Sequence, residues 1–295
     1  MRPDWIFSSY LIYLATALAF IFPEVASSLE KALGFLLILM MSHSLTKLKV
    51  RGIGLGEVAE GLRLTLFHFL GLSTLLLVAM LLVGPGFRQG FMVLAVVPPA
   101  ISIVVLSRLS NGRVQDSFMG LLMSYLFAFI YAPAVLHIFQ GESISPFIIL
   151  KPLVLYTFVP FVISRALARA SFLNEKRNHL IVNSLFALLF FIIIGSRSEY
   201  ILNNLRDLWV IVVIMAMLSF GLGTVIFLLR PKSLEYVFFG TYKNTSMAMV
   251  IAMTYFGPLA IVPISIRALL SPLFTIYILF LNGLTRKSRR KTLGD

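Results

Sequence analysis

The sequence predicts an all-α integral membrane protein of ten transmembrane helices, arranged as two inverted five-helix repeats with the fourth and ninth helices unwound. Three observations carry that expectation. Of 295 residues, 59% are apolar and 13% charged, at a mean hydropathy of +0.95, whereas a soluble domain is roughly 45–50% apolar. A bilayer-spanning helix takes about 20 apolar residues, so the chain holds about ten spans with short loops and leaves no room for a soluble domain. Two of the spans, five apart, also carry residues that suit a helix interior poorly.

Apolar runs bounded by charge or by Gly and Pro fall at 5–22, 29–46, 62–83, 88–111, 114–139, 146–164, 178–195, 208–229, 234–256 and 259–283. The first run is preceded by Arg2 alone among basic residues and has no clear small-residue cleavage site. It reads as a retained span and not as a signal peptide. Ten spans put both termini on one side. That side receives eighteen Lys and Arg, clustered at 2, 47–63, 108–113, 165–177, 230–232 and 286–291, against six on the other: Lys31, Arg88, Lys151, Arg197, Arg206 and Arg267. The asymmetry predicts cytoplasmic termini in a plasma membrane or bacterial-type inner membrane. Lys243 belongs to neither side.

The net charge of +13 and the pI near 10.2 follow from this asymmetry, without a nucleic-acid partner. The basic tail at 286–291 reads as a topology anchor beside anionic headgroups. The stretch Arg51-Gly-Ile-Gly-Leu-Gly56 follows no strand and lacks the Gly-Lys-Ser/Thr of a phosphate loop, so it reads as a turn. Zero Cys removes disulfides and thiol chemistry. All twelve Asp and Glu fall in loops or at helix ends, which excludes a mid-membrane carboxylate pair. There is no His-Glu-x-x-His and no Asp-rich motif, so no enzyme is expected. His43, His68, His137 and His179 are dispersed without metal-ligand spacing and read as structural. Asp116, three residues after Arg113, reads as a solvated or paired cap and not as a proton carrier exchanging with Lys243, while Gln115, Ser117, Ser124 and Tyr125 are candidates to line a cavity. Met and Phe at helical spacing are packing, and Gly221-Leu-Gly223-Thr224 allows close helix approach. No obligate protein partner is evident.

In the fourth run, Pro98 and Pro99 interrupt an apolar helix. Proline lacks an N–H and clashes with the carbonyl four residues earlier, which leaves the carbonyls of Leu94 and Ala95 without helical partners. In hydrocarbon each such group costs several kcal/mol unless something satisfies it. The ninth run is interrupted by Gly240-Thr241-Tyr242-Lys243-Asn244-Thr245-Ser246, seven residues with no aliphatic side chain. Lys243 lies about nine residues into the run, roughly 13 Å deep at 1.5 Å per residue. Burying a Lys there costs at least about 2.5–3.5 kcal/mol, so it is expected to face a cavity or to be tied to carbonyls. Five spans separate the two interruptions, and an odd-numbered repeat inserts its second copy upside down. Repeats at 1–140 and 141–295 follow, with broken helices meeting near the midplane as in secondary transporters.

Two blocks resemble the bile acid:sodium symporter family. Val97-Pro98-Pro99-Ala-Ile-Ser102, Ser110-Asn111-Gly112, Ser117 and Tyr131-Ala-Pro133 follow that family's fourth and fifth helices. Gly240-Thr-Tyr-Lys-Asn244-Thr-Ser-Met-Ala248, with Tyr255-Phe256-Gly-Pro-Leu-Ala260 and Pro263, is similar to its ninth helix and the exit from it. The resemblance implies crossed fourth and ninth helices, a core domain and a panel domain each built from both repeats, and carriage of organic anions, commonly with sodium. This chain departs from the pattern at the ion ligands. Ile103 and Val104 stand where the family has Ser-Asn, and Leu121 replaces one of two hydroxyls of which Ser117 is the other. Phe239 and Lys243 replace the Glu and Gln of Glu-x-x-x-Gln-Asn, while Asn244 is kept. Two like charges about 4 Å apart repel by roughly 4 kcal/mol at an effective dielectric of 20, so sodium is not expected as a cofactor at both usual sites.

The sequence reading is therefore a transporter of a small organic anion in which the Lys243 amine stands in for a bound cation or couples transport to protons. Its expected substrate-site residues are Pro98, Pro99, Ser102, Ser117, Thr241, Lys243, Asn244 and Thr245. The alternative is a membrane receptor or sensor on the same fold that moves no solute.

Overall fold

The computed structural model describes residues 3–46, 54–110, 112–140, 147–169, 175–203, 205–231 and 233–292. Every regular element among them is helical. Among the described residues, five helices are long and apolar enough to cross a bilayer: Leu55–Leu82, Val114–Phe139, Leu150–Leu167, Leu208–Leu229 and Pro258–Thr285. The protein is an all-α, multi-pass membrane protein. Lys47, Lys49, Arg51, Asn111 and Lys232 lie outside the described residues.

In chain order, α1 (Pro3–Ile21) leads through a short α2 (Pro23–Ser28) to α3 (Leu33–Leu45). α4 (Leu55–Phe67) and α5 (Thr74–Ala79) form one rod joined by a wide π-type turn at His68–Ser73. α6 (Pro85–Val96) and α7 (Ser102–Leu109) are the halves of the first broken helix, followed by the long α8 (Val114–Gln140). α9 (Phe147–Leu167), α10 (Glu175–Gly195) and the short α11 (Ser198–Asn203) come next. α12 (Leu205–Ala216) and α13 (Leu222–Leu229) are joined by a second wide turn at Met217–Gly221. α14 (Leu234–Thr241) and α15 (Thr245–Tyr255) are the halves of the second broken helix, and α16 (Pro258–Thr292) closes the chain.

The helix boundaries follow local chemistry. α6 and α16 begin on Pro85 and Pro258, a position whose N–H has no helical partner in any case. α4 starts seven residues before the apolar run at 62–83, because the Glu57 carboxylate accepts from the Gly54 N–H at 2.9 Å and begins the helix in a polar segment.

Two packing groups emerge. α10 lies against α1, α2 and α3, and α9 against α3. This group is tied by His43 Nδ1 to Asn178 Oδ1 at 2.9 Å, by Asn178 Nδ2 donating to His43 O at 2.9 Å, and by Arg165 donating to Leu45 O at 2.5 Å. In the second group α4 packs on α8, α6 and α15 on α16, α13 on α14, and α12 on α16. Its contacts are intimate. A Cβ on Gly90 of α6 would collide with the Ala260 carbonyl oxygen of α16, and one on Gly61 of α4 would lie 2.9 Å from the Met119 carbonyl carbon of α8. Thr65 on α4 adds polar bonds across the same seam, its Oγ1 lying 3.1 Å from Gly120 O and 3.1 Å from Ser124 Oγ. Leu66, Leu70, Ile130, Val225 and Leu228 are exposed, as lipid-facing residues should be.

Candidate functional site: the crossing of two broken helices

Both interruptions are real breaks in the helical backbone, and they meet. α6 stops at Val96, Val97 is extended at φ −69°, ψ 147°, and helix resumes only at Ser102 because Pro98 and Pro99 supply no N–H. α14 stops at Thr241, Tyr242 is extended at φ −102°, ψ 135°, and α15 restarts after Asn244. The Asn244 side chain caps that restart by accepting from Met247 N at 3.1 Å. Its backbone N–H crosses to the other break and donates to Pro98 O at 3.0 Å. Its amide nitrogen reaches the Tyr125 hydroxyl on α8 at 2.8 Å. One residue thus caps a helix, joins the two breaks and ties them to a third helix.

Lys243 fills the space between the breaks. It is 3% exposed. Its Nζ lies 2.6 Å from Ser73 Oγ, 2.8 Å from His68 Nε2, 3.0 Å from Ala95 O and 3.2 Å from Val97 O, with the Phe69 ring centroid at 5.2 Å. The prolines were expected to free the carbonyls of Leu94 and Ala95. The amine takes Ala95 and, in place of Leu94, Val97, whose extended backbone turns its carbonyl into the gap. His68 Nδ1 lies 2.7 Å from Phe239 O. A carbonyl only accepts, so Nδ1 carries the proton and the Nε2 lone pair faces Nζ. Lys243 therefore sits among four acceptors with three N–H groups to give.

Arg267 is the second buried cation, and the sequence reading misplaced it. It was assigned to the outer side with Lys31 and Arg88; the structure puts it inside α16 at 1% exposure. Its guanidinium donates to Ser219 Oγ at 2.9 Å, to Met215 O at 3.4 Å and to the Thr241 carbonyl. The outer count falls from six to five.

Each broken helix thus has its first half closed by a basic side chain: α6 by Lys243 and α14 by Arg267. The C-terminal end of a helix carries about half a negative charge, and these cations lie against it. Each is also gripped by a wide turn, Lys243 by His68 and Ser73 and Arg267 by Ser219. Such turns redirect side chains that a regular helix would aim elsewhere. The described ion pairs are Arg63–Glu60, Arg113–Asp116 and Arg197–Glu30. Among the described residues, neither buried cation has a carboxylate within 4.0 Å.

Of the expected site residues, Pro98, Pro99, Thr241, Lys243, Asn244 and Thr245 come together at the crossing, all buried. The Thr241 hydroxyl bonds back to Val237 O at 2.5 Å, so it is the Thr241 carbonyl that works at the break. Ser102 is exposed at the start of α7. Ser117 is buried but bonds Ser107 at 2.6 Å, where α7 turns into α8. Asp116 is buried and paired, 2.9 Å from Arg113 Nε. Gln115 is exposed, and Ser124 serves the α4–α8 seam. The residues missed are His68, Ser73, Ser219 and Arg267. A His six residues into an apolar run and an Arg eight residues into another were the available signals.

The acceptors around Nζ are also the groups that would hold a monovalent metal ion. With the amine among them, sodium does not fit in the same set. Comparison of the sequence with protein-family models and with curated proteins finds no match, so the geometry of the crossing carries the functional reading.

Proposed function

We propose that the protein is a secondary transporter of a small organic anion, built on ten passages in two inverted five-helix halves and related to the bile acid:sodium symporters. Lys243 holds the crossing in place of a bound cation. The observation that carries this reading is the junction itself: two broken helices joined by Asn244 N to Pro98 O at 3.0 Å, with a buried amine among the carbonyls at the break. Broken helices at midplane depth are the usual framework of a solute site in secondary transporters. A purely structural membrane protein has no evident need to bury two cations at such cost.

Further features support the inverted halves. The wide turns at His68–Ser73 and Met217–Gly221 and the breaks after Val96 and Thr241 recur at corresponding places, five passages apart. The α1, α3, α9 and α10 group supports a panel that rocks against the remaining helices, and the basic residues support cytoplasmic termini. Ala95 O, Val97 O and the His68 Nε2 lone pair around Nζ only accept, so they favour the charged amine with its three N–H groups. The proposal is accordingly uniport or exchange of the anion, without sodium at this position.

Purified protein in liposomes preloaded with unlabelled organic acids tests the transport reading by counterflow of labelled carboxylates and sulfonates. Accumulation above that of protein-free vesicles is expected. Saturable binding with no flux would replace the transporter by a receptor.

A further inference from the structure

We propose that Lys243 and Arg267 act as a fixed pair of positive charges that makes the crossing selective for a doubly charged anion. The inference rests on the transporter reading and adds the substrate's charge. Arg267 binds the carbonyl of Thr241, two residues before Lys243, so the cations flank the same short break. They are 1% and 3% exposed, and among the described residues no carboxylate lies within 4.0 Å of either.

The helix ends do not cancel this charge. The C-terminal ends of α6 and α14 contribute about half a negative charge each, and the N-terminal ends of α7 and α15 about half a positive charge each. These sum to zero and leave the two side-chain charges unbalanced. A monoanion would neutralise one of them and a dianion both.

The donors of Lys243 are taken up by protein acceptors, so the pair acts on the substrate through its field. At about 10 Å and an effective dielectric of 20, each charge pair is worth on the order of tenfold in affinity. A second negative charge on the ligand therefore adds at least about that factor. Along the chain, Ser102 is exposed at the start of α7, three residues after Pro99, and Thr245 and Ser246, each 9% exposed, open the first turn of α15.

The test is counterflow in liposomes containing the full-length protein, comparing succinate and sulfate with acetate and butyrate at equal concentration. The expected result is dianion flux at least about tenfold above monoanion flux in the wild type. Arg267→Met should shrink that ratio toward one, and Arg267→Lys should keep it. Equal rates, or faster monoanions, overturn the charge-pair inference and leave the transporter reading standing. A ratio unchanged in Arg267→Met removes Arg267 from the pair and overturns it equally. Flux of no anion at all overturns the transporter reading and this inference with it. If Arg267→Met does not fold, the wild-type ratio and Arg267→Lys decide.

Discussion

Replacing Lys243 by Met leaves an unbranched apolar side chain one atom shorter and removes the three N–H groups. The amine now meets four acceptors between 2.6 and 3.2 Å, and three bonds can be made at once. A buried acceptor left without a donor costs about 1–3 kcal/mol, so the loss is about 3–9 kcal/mol. Removing a buried charge returns about 2.5–3.5 kcal/mol. The central expectation is a net destabilisation of about 3 kcal/mol. At about 2.1 cal/mol/K of unfolding entropy per residue, a chain of 295 residues shifts by roughly 1.6 °C per kcal/mol, which is about 5 °C in Tm. Thermal unfolding in detergent, followed by loss of the monodisperse peak on size-exclusion chromatography, measures it. Lys243→Gln should fall between Met and wild type because its amide donates two protons. A Met variant melting at or above the wild-type temperature would show that the ammonium is not what joins the two breaks, and the reasoning would be wrong at its base.

Three further outcomes are expected. Lys243→Ala leaves Ser73 Oγ, His68 Nε2, Ala95 O and Val97 O around a vacated space, so sodium should raise the Tm of this variant and leave the wild type unchanged; titration with sodium against choline checks it. Asn244→Ala removes a helix cap worth about 1 kcal/mol and the bond to Tyr125, worth a similar amount, so it should lower stability by about 2 kcal/mol. Tyr125→Phe should lower it by about 1 kcal/mol, and a double-mutant cycle should show the pair to be coupled. Gly90→Val drives a side chain into the Ala260 carbonyl and should cost at least about 1–3 kcal/mol, seen as a lower Tm or a failure to purify as a single species.

The apolar helices were legible because apolar run length is a strong signal. The run at 234–256 became α14 and α15, and that at 208–229 became α12, the wide turn and α13. The breaks were legible because proline and a polar septet violate helix rules locally. The partners of Lys243 were not, since nothing in the local pattern of His68 or Ser73 reports a lysine some 170 positions away. Their alignment also depends on a wide turn that widens the helix by one residue without a sequence marker. Arg267 was hidden by a charge count that sorted cations to the nearest side. A guanidinium is affordable inside α16 only because α14 ends against it, and that is tertiary information. Ser117, a hydroxyl at a position matching the family pattern, bonds Ser107 where α7 turns into α8.

The central claim is that a tethered amine does the work of a bound cation, and the sodium dependence of flux tests it most directly. Counterflow of a labelled anion should run at the same rate in sodium and in choline media for the wild type, and Lys243→Gln should lose most of it in both. Wild-type flux that vanishes when sodium is withdrawn, or undiminished sodium-free flux in Lys243→Gln, would contradict the account.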